Sequence, residues 1–281
     1  MNDVMSGKIM DYLVYLDAEE KSQATRQQYH RDILHFFEYV GERSLEKELV
    51  IQYKEELQRS YQPSSVNVKI AAINGFFSFV GRTELRVKRL KVQKKSYCST
   101  KQELTKKEYA RLIQTAKKQG NHRLGLLIQT ICSTGIRVSE LRFLTAEAVR
   151  AGEANIQLKG KARTILICSK LRKLLRRYMK VWKIHSGPIF VTKNGNPMDR
   201  SNIWKMMKRL CESAQVDPKK VFPHNLRHLF ARCFYSIEKD IAKLADILGH
   251  SNIDTTRIYI LSSGGEHRRQ LDRMELVVDS E

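Results

Sequence analysis

The stretch Leu248-Gly-His-Ser-Asn-Ile-Asp-Thr-Thr-Arg-Ile-Tyr259 sets a histidine and a tyrosine nine residues apart, just after a glycine that closes an apolar run. Upstream, Pro223-His-Asn-Leu-Arg-His228 opens a helix with proline and puts His224 and Arg227 three residues apart, on one helical face. Further upstream, Arg137 follows the break at Thr134-Gly135, in a position to start a new helix near Val138. Two arginines, two histidines and one phenolic hydroxyl suit a site that grips a phosphate and attacks it. The arginine fork meets two oxygens at once and keeps its charge, and cations placed there act where negative charge develops during attack.

Tyr259 is the candidate nucleophile. A free phenol has a pKa near ~10, so it needs a proton acceptor or nearby cations, and His224 and His250 are the candidate acceptors. The departing sugar oxygen needs a proton. Lys159, at the tip of an expected β-hairpin, is the candidate donor, and Lys161 is its rival. No Asp/Glu cluster has metal-ligand spacing, so neither a metal nor a cofactor is expected.

Charge names the partner class. Lys and Arg number 51 against 30 acidic residues in 281, an imbalance that favours a polyanion. The excess is uneven: net −3 over residues 1–85, +6 over 86–103 and +18 over 104–281. Double-stranded DNA is therefore expected to be held mainly by the connector and the second part. Five cysteines with no Cys-x-x-Cys spacing read as reduced thiols of a cytoplasmic protein. The start lacks a signal peptide's pattern, and no apolar run approaches ~18 residues, so no membrane partner is expected.

Periodicity predicts a mainly α chain with one small antiparallel β-hairpin. Residues 1–85 read as a small four-helix bundle. Its stripes are Ile9, Tyr12, Leu13 and Leu16, then Tyr29 to Val40 ending at Gly41, then Leu49 to Leu57. The last runs from Val66 to Val80 after Pro63-Ser-Ser. Residues 86–103 read as an extended basic linker; both a solvated tether and a strap along phosphates are compatible with its composition. Residues 104–281 read as a mixed α/β catalytic domain. It opens with a Thr105/Glu108 capping box and continues through a buried helix over 121–133 and the hairpin Ala154–Cys168. A short strand at Ile189-Phe-Val-Thr192 follows, then helices from Asp199 to about Leu261 and a tail helix over 266–278. Candidate DNA contacts are Ser64, Ser65, Asn67 and Lys69 at the start of the fourth helix, and Arg86, Lys88, Arg89 and Lys91 in the linker.

Three boxes carry a resemblance. Thr134-Gly-Ile-Arg-Val-Ser-Glu-Leu141, Phe222-Pro-His-Asn-Leu-Arg-His-Leu-Phe-Ala231 and Leu248 to Tyr259 together resemble the catalytic domain of tyrosine recombinases, the phage-integrase and Xer-like family. The helical first part resembles, more weakly, that family's SAM-like core-binding domain, through Thr25, Tyr29, Phe36, Pro63-Ser-Ser-Val-Asn67 and Phe76-Phe77. The resemblance implies a site-specific recombinase working through a 3′-phosphotyrosine. Arg137, Arg227 and His250 would hold the phosphate, His224 would take the tyrosine's proton and Lys159 would protonate the leaving oxygen. It also implies a homo-oligomer, monomeric when free and tetrameric on two DNA sites, with the tail helix docking on a neighbour. A type IB topoisomerase or a hairpin telomere resolvase would use similar chemistry; the intact Arg, Lys, His, Arg, His, Tyr set argues against a non-catalytic DNA-binding protein that kept the fold, and a basic RNA-binding or structural protein would not need Tyr259. Two departures stand out. The hairpin reads Leu158-Lys-Gly-Lys-Ala-Arg163 where the family often has Gly-Lys-Gly-x-Lys, and Asn74 stands where many relatives carry a basic residue.

Overall fold

The computed structural model describes residues 3–92, 103–158, 161–192, 194–260 and 272–274. The chain divides into two compact units, Met1–Lys94 and Lys95–Glu281. Each has its own apolar core.

The first unit is four helices: α1 (Asp3–Ala18), α2 (Gln23–Val40), α3 (Lys47–Ser60) and α4 (Pro63–Phe79). The Ser22 hydroxyl caps α2 by accepting from the Thr25 amide at 3.2 Å, and Gly41, at φ +59°, ends it. Pro63 stands in the first turn of α4, where a missing N–H costs nothing. At the centre Phe36 meets Tyr53 and Phe77 edge to face, and Phe76 meets Phe37 the same way.

Of the expected linker, residues 86–92 are described. Residues 86–92 lie in extended form against α4 and belong to the first unit. Asn74 clamps the backbone of Val87 from both sides, its Nδ2 donating to the carbonyl at 2.8 Å and its Oδ1 accepting from the amide at 3.1 Å. Two turns earlier on α4, Asn67 does the same to Leu90, at 3.0 and 2.7 Å. Val87 is buried. An amide side chain satisfies a strand-like backbone on both edges, so two asparagines seven residues apart hold two apolar residues three apart. Residues 93–102 lie outside the described residues, as does the expected tail helix apart from 272–274.

The second unit comprises α5 (Lys106–Lys118), α6 (His122–Thr134), a 3-10 turn (Val138–Phe143), α7 (Ala146–Ala151), the strands β1 (Glu153–Leu158) and β2 (Lys161–Leu166), α8 (Ser169–Val181), α9 (Arg200–Ala214), α10 (Pro223–Glu238), α11 (Ile241–Leu248) and α12 (Ile253–Ile260). The capping box at Thr105 and Glu108 is present. Helix α6 is buried along most of its length and packs against α5, α8, α9 and α10. β1 and β2 pair antiparallel with Glu153 opposite Leu166 and Leu158 opposite Lys161. Ala154, Ile156 and Ile165 face the core.

Two further expectations change. Val138 opens a 3-10 turn rather than an α-helix, because the Arg137 amide is taken by the Glu140 carboxylate at 2.8 Å and Thr145 already caps α7. Ile189–Thr192 makes only isolated bridges, Thr145 to Pro188 and Val191 to Pro197; the two prolines lack the N–H that a ladder needs. The helices expected from Asp199 onward are α9 to α12, and the first three end at Gln215, Lys239 and Gly249, all in left-handed conformation. Helix α8 was not read at all. Its buried stripe, Leu171, Leu175, Tyr178 and Met179, is interrupted by cations at most other positions.

Candidate active site

The site is organised by the carboxyl end of α11. Three consecutive carbonyls there each accept from a different arginine. Arg163 Nη1 donates to Ile247 at 2.8 Å, Arg227 Nη2 to Leu248 at 2.6 Å and Arg137 Nη2 to Gly249 at 3.2 Å. The end of a helix leaves its last carbonyls unsatisfied and carries partial negative charge, so it gathers cations. Gly249, at φ +62°, lets the chain leave the helix there. A Cβ on it would overlap the Cδ of Arg163. Arg227 also donates from Nη1 to the carbonyl of Gly135, the left-handed residue that ends α6.

Glu140 balances this cluster. It is buried, with Oε1 accepting from Arg137 Nη1 at 2.9 Å and Oε2 from Arg163 Nη2 at 2.5 Å. Burial alone would raise its pKa. The Arg137 backbone and side chain and the charge of Arg163 outweigh that and hold the carboxyl below its usual range.

The two arginines of the motifs differ in access. Arg227 is 2% exposed, and burial, then Arg137, lowers its pKa to about 10. The side chain of Arg137 is 40% exposed and opens to solvent. Arg227 thus supplies a fixed field, while Arg137 can meet an incoming anion.

Tyr259, in the last turn of α12, is buried among three imidazoles. Its ring centroid lies 4.2 Å from His228, 5.3 Å from His224 and 5.4 Å from His250. Burial first, then Arg227, Arg137, Arg163 and His224, brings the His250 pKa down to about 4. His224 still reaches solvent. Partial desolvation and then Arg227, Arg200 and Arg137 hold it below the ordinary imidazole range. His228 falls to about 4 through burial, then His224 and Arg232. All three rings are therefore neutral near pH 7.

The structure thus brings Arg137, His224, Arg227, His250 and Tyr259 into one cluster. Lys159 lies outside the described residues, and Lys161 is the first residue of β2. Sequence reasoning missed Glu140, Arg163, His228 and Thr256, which pack into the same cluster. In the first unit, Ser64 and Ser65 are exposed in the first turn of α4, Asn67 is committed to Leu90, and Lys69 pairs with the buried Asp32 at 2.8 Å. Arg86, Lys88, Arg89 and Lys91 are exposed along the docked strap. Arg86, Lys88 and Arg89 border a hollow of about 590 Å³ beside Asn74 and Ser78.

Comparison with known proteins follows this geometry. The phage integrase family profile matches residues 102–264, and that of the phage integrase N-terminal SAM-like domain matches residues 9–84. The chain belongs to the phage integrase family. A tyrosine recombinase XerA from Pyrococcus horikoshii is 28% identical over 98% of this chain and 95% of its own length. A tyrosine recombinase XerD from Halalkalibacterium halodurans is 28% identical over 92% and 93%. Among solved structures, a lambda integrase dimer bound to a COC′ core site has a similar fold, with a TM-score of 0.72 at 14% identity over 98% of each chain. XerH bound to its difH substrate has a TM-score of 0.68 at 19% identity, over 89% of this chain and 79% of that one. This family membership accounts for the mainly helical fold, the single hairpin and the pairing of a SAM-like unit with a catalytic one.

Proposed function

We propose that this protein is a site-specific DNA recombinase that cuts and rejoins strands through a covalent bond between Tyr259 and a 3′ phosphate. The observation that carries the reading is the convergence of Arg137, Arg227 and His250 on the end of α11, beside a buried Tyr259. The Tyr259 oxygen attacks phosphorus and the bond to the 5′ oxygen breaks. The phenolic proton goes to His224, which is neutral and unprotonated near pH 7, and the 5′ oxygen takes a proton from a hairpin lysine, Lys159 or Lys161. Arg137 and Arg227 offset the charge that grows on the non-bridging oxygens. The phosphotyrosine keeps the energy of the broken ester, so rejoining runs the same steps backwards without a cofactor or a metal.

Exposed Ser64 and Ser65 and the cations Arg86, Lys88, Arg89 and Lys91 on the strap are proposed backbone contacts. With residues 86–92 counted in, the first unit's acidic balance disappears. A free monomer would assemble as a tetramer on two DNA sites, in the cytoplasm where the DNA is, with residues 266–281 linking neighbours.

The test is a nicked suicide duplex carrying the target site. Wild type should leave a covalent adduct that maps to Tyr259, and Tyr259→Phe should bind DNA without one. An adduct on another residue, or none from wild type, overturns the reading. Deleting 266–281 should preserve single-site binding and abolish synapsis; unchanged synapsis removes the tail from assembly.

A further inference from the structure

We propose that Arg163 is a positioning residue that fixes the β1–β2 hairpin, and with it the lysine proton donor, over the scissile phosphate. This rests on the reading above.

Arg163 belongs to β2, two positions after Lys161, and pairs across the hairpin with Ile156. Ala154, Ile156 and Ile165 anchor the base of the hairpin in the core. Gln157 and Ala162, the next cross-strand pair toward the turn, are exposed, and a two-stranded ribbon by itself is marginally stable. Arg163 takes over there. Its side chain is 10% exposed and leaves the hairpin to reach two other elements: Glu140 in the 3-10 turn at 2.5 Å and the Ile247 carbonyl at the end of α11 at 2.8 Å. Its Nε is buried without a partner. The absence of a Cβ at Gly249 makes room for its stem. Both terminal nitrogens are already committed, so Arg163 registers the hairpin against the two elements that carry Arg137 and His250, rather than gripping phosphate itself.

A donor lysine is worth about 10² to 10⁴ in rate only when it is held within hydrogen-bond reach of the leaving oxygen. Loosening the hairpin therefore costs proton transfer specifically. Arg163→Ala should slow cleavage of an ordinary suicide duplex by about 10²-fold. Arg163→Lys should recover only part of this, since an ammonium cannot span carboxylate and carbonyl as a planar fork does.

The deciding measurement replaces the bridging 5′ oxygen with sulfur. A thiolate leaves without being protonated, so this substrate bypasses the donor. On it, Arg163→Ala and Arg163→Lys should cleave within a few-fold of wild type, while Glu140→Gln, which disturbs Arg137, stays slow on both substrates. Equal slowing of the Arg163 variants on oxygen and sulfur, or no slowing on either, overturns the proposal. If Arg163→Ala does not fold, Arg163→Lys carries the comparison. Wild type failing to form any adduct would instead sink the recombinase reading, so the two failures are separable.

Discussion

Arg227 Nη2 meets His250 Nε2 at 2.9 Å. A guanidinium nitrogen has only hydrogens to offer, so Nε2 is the acceptor and the ring's proton lies on Nδ1. There it donates to Thr256 Oγ1 at 2.8 Å. Thr256, fully buried in α12 and one turn before Tyr259, thereby fixes both the tautomer and the tilt of a site histidine. Thr256→Val keeps the shape and removes the acceptor. A neutral hydrogen bond is worth about 1 kcal/mol, so single-turnover adduct formation should slow about five-fold with DNA affinity unchanged. An unaltered rate would detach Thr256 from the site.

Glu140 lies between two arginines, each of which also touches the end of α11. Removing its charge leaves Arg163 buried without a counter-ion, a class of change that costs roughly 3–5 kcal/mol. Glu140→Ala should lower the urea midpoint accordingly and abolish cleavage. Glu140→Gln should keep most of the fold while losing most of the rate. A Glu140→Ala protein of native stability would show the pairs to be idle.

Gly249 and Gly41 both have a positive φ, +62° and +59°, with Gly249 in the left-handed helical region and Gly41 at ψ −126°; a Cβ would overlap Arg163 at Gly249 and meet nothing within 4 Å at Gly41. Gly41→Ala should cost about 1 kcal/mol of stability, from backbone strain alone. Gly249→Ala should cost more and slow cleavage as well, because Arg163 must move. Thermal melts of the two variants, with adduct assays, make the comparison; equal losses would mean that Arg163 yields freely.

The cluster was legible in the sequence where a residue type carries chemistry of its own. Arginine, histidine and tyrosine at helix starts and ends point to phosphate without coordinates. Glu140 was quoted within its motif yet read as part of a pattern, because its role comes from burial among cations; its position three residues after Arg137 was the available signal. Arg163 and Thr256 act across 84 and 6 residues of chain, and only folding sets those pairs. The docking of the strap on α4 is not legible in the sequence, because Val87 and Leu90 are few among cations and nothing pairs them with Asn74 and Asn67 before the chain folds. The hidden helix α8 shows the same masking, with a sound i, i+4 stripe diluted by lysine and arginine.

His228 and His250 each titrate near 4 in the fold, against 6.5 for a free imidazole. Between those values the unfolded chain binds more protons than the folded one, so stability rises with pH across the window. It is fully present above about 6.5 and is lost as pH falls toward 4, on the order of 2–3 kcal/mol for each ring. His228 allows this to be dissected. Its ring packs on Tyr259, while its buried Nδ1 has no partner. His228→Phe keeps the ring contact and removes both the orphaned nitrogen and the titration. Stability at pH 7 should therefore rise by about 1 kcal/mol, since an unpaired buried polar atom is costly. The decline between pH 6.5 and 4 should become shallower, with His224 and His250 still taking up protons there, and adduct formation should stay within a few-fold of wild type. His228→Ala, which removes the shelf under Tyr259, should lose both stability and rate. Denaturant titrations across the pH range, with adduct assays at pH 7, decide the matter. A hundred-fold loss of cleavage in His228→Phe, with binding intact, would mean that this ring moves a proton instead of only supporting the nucleophile.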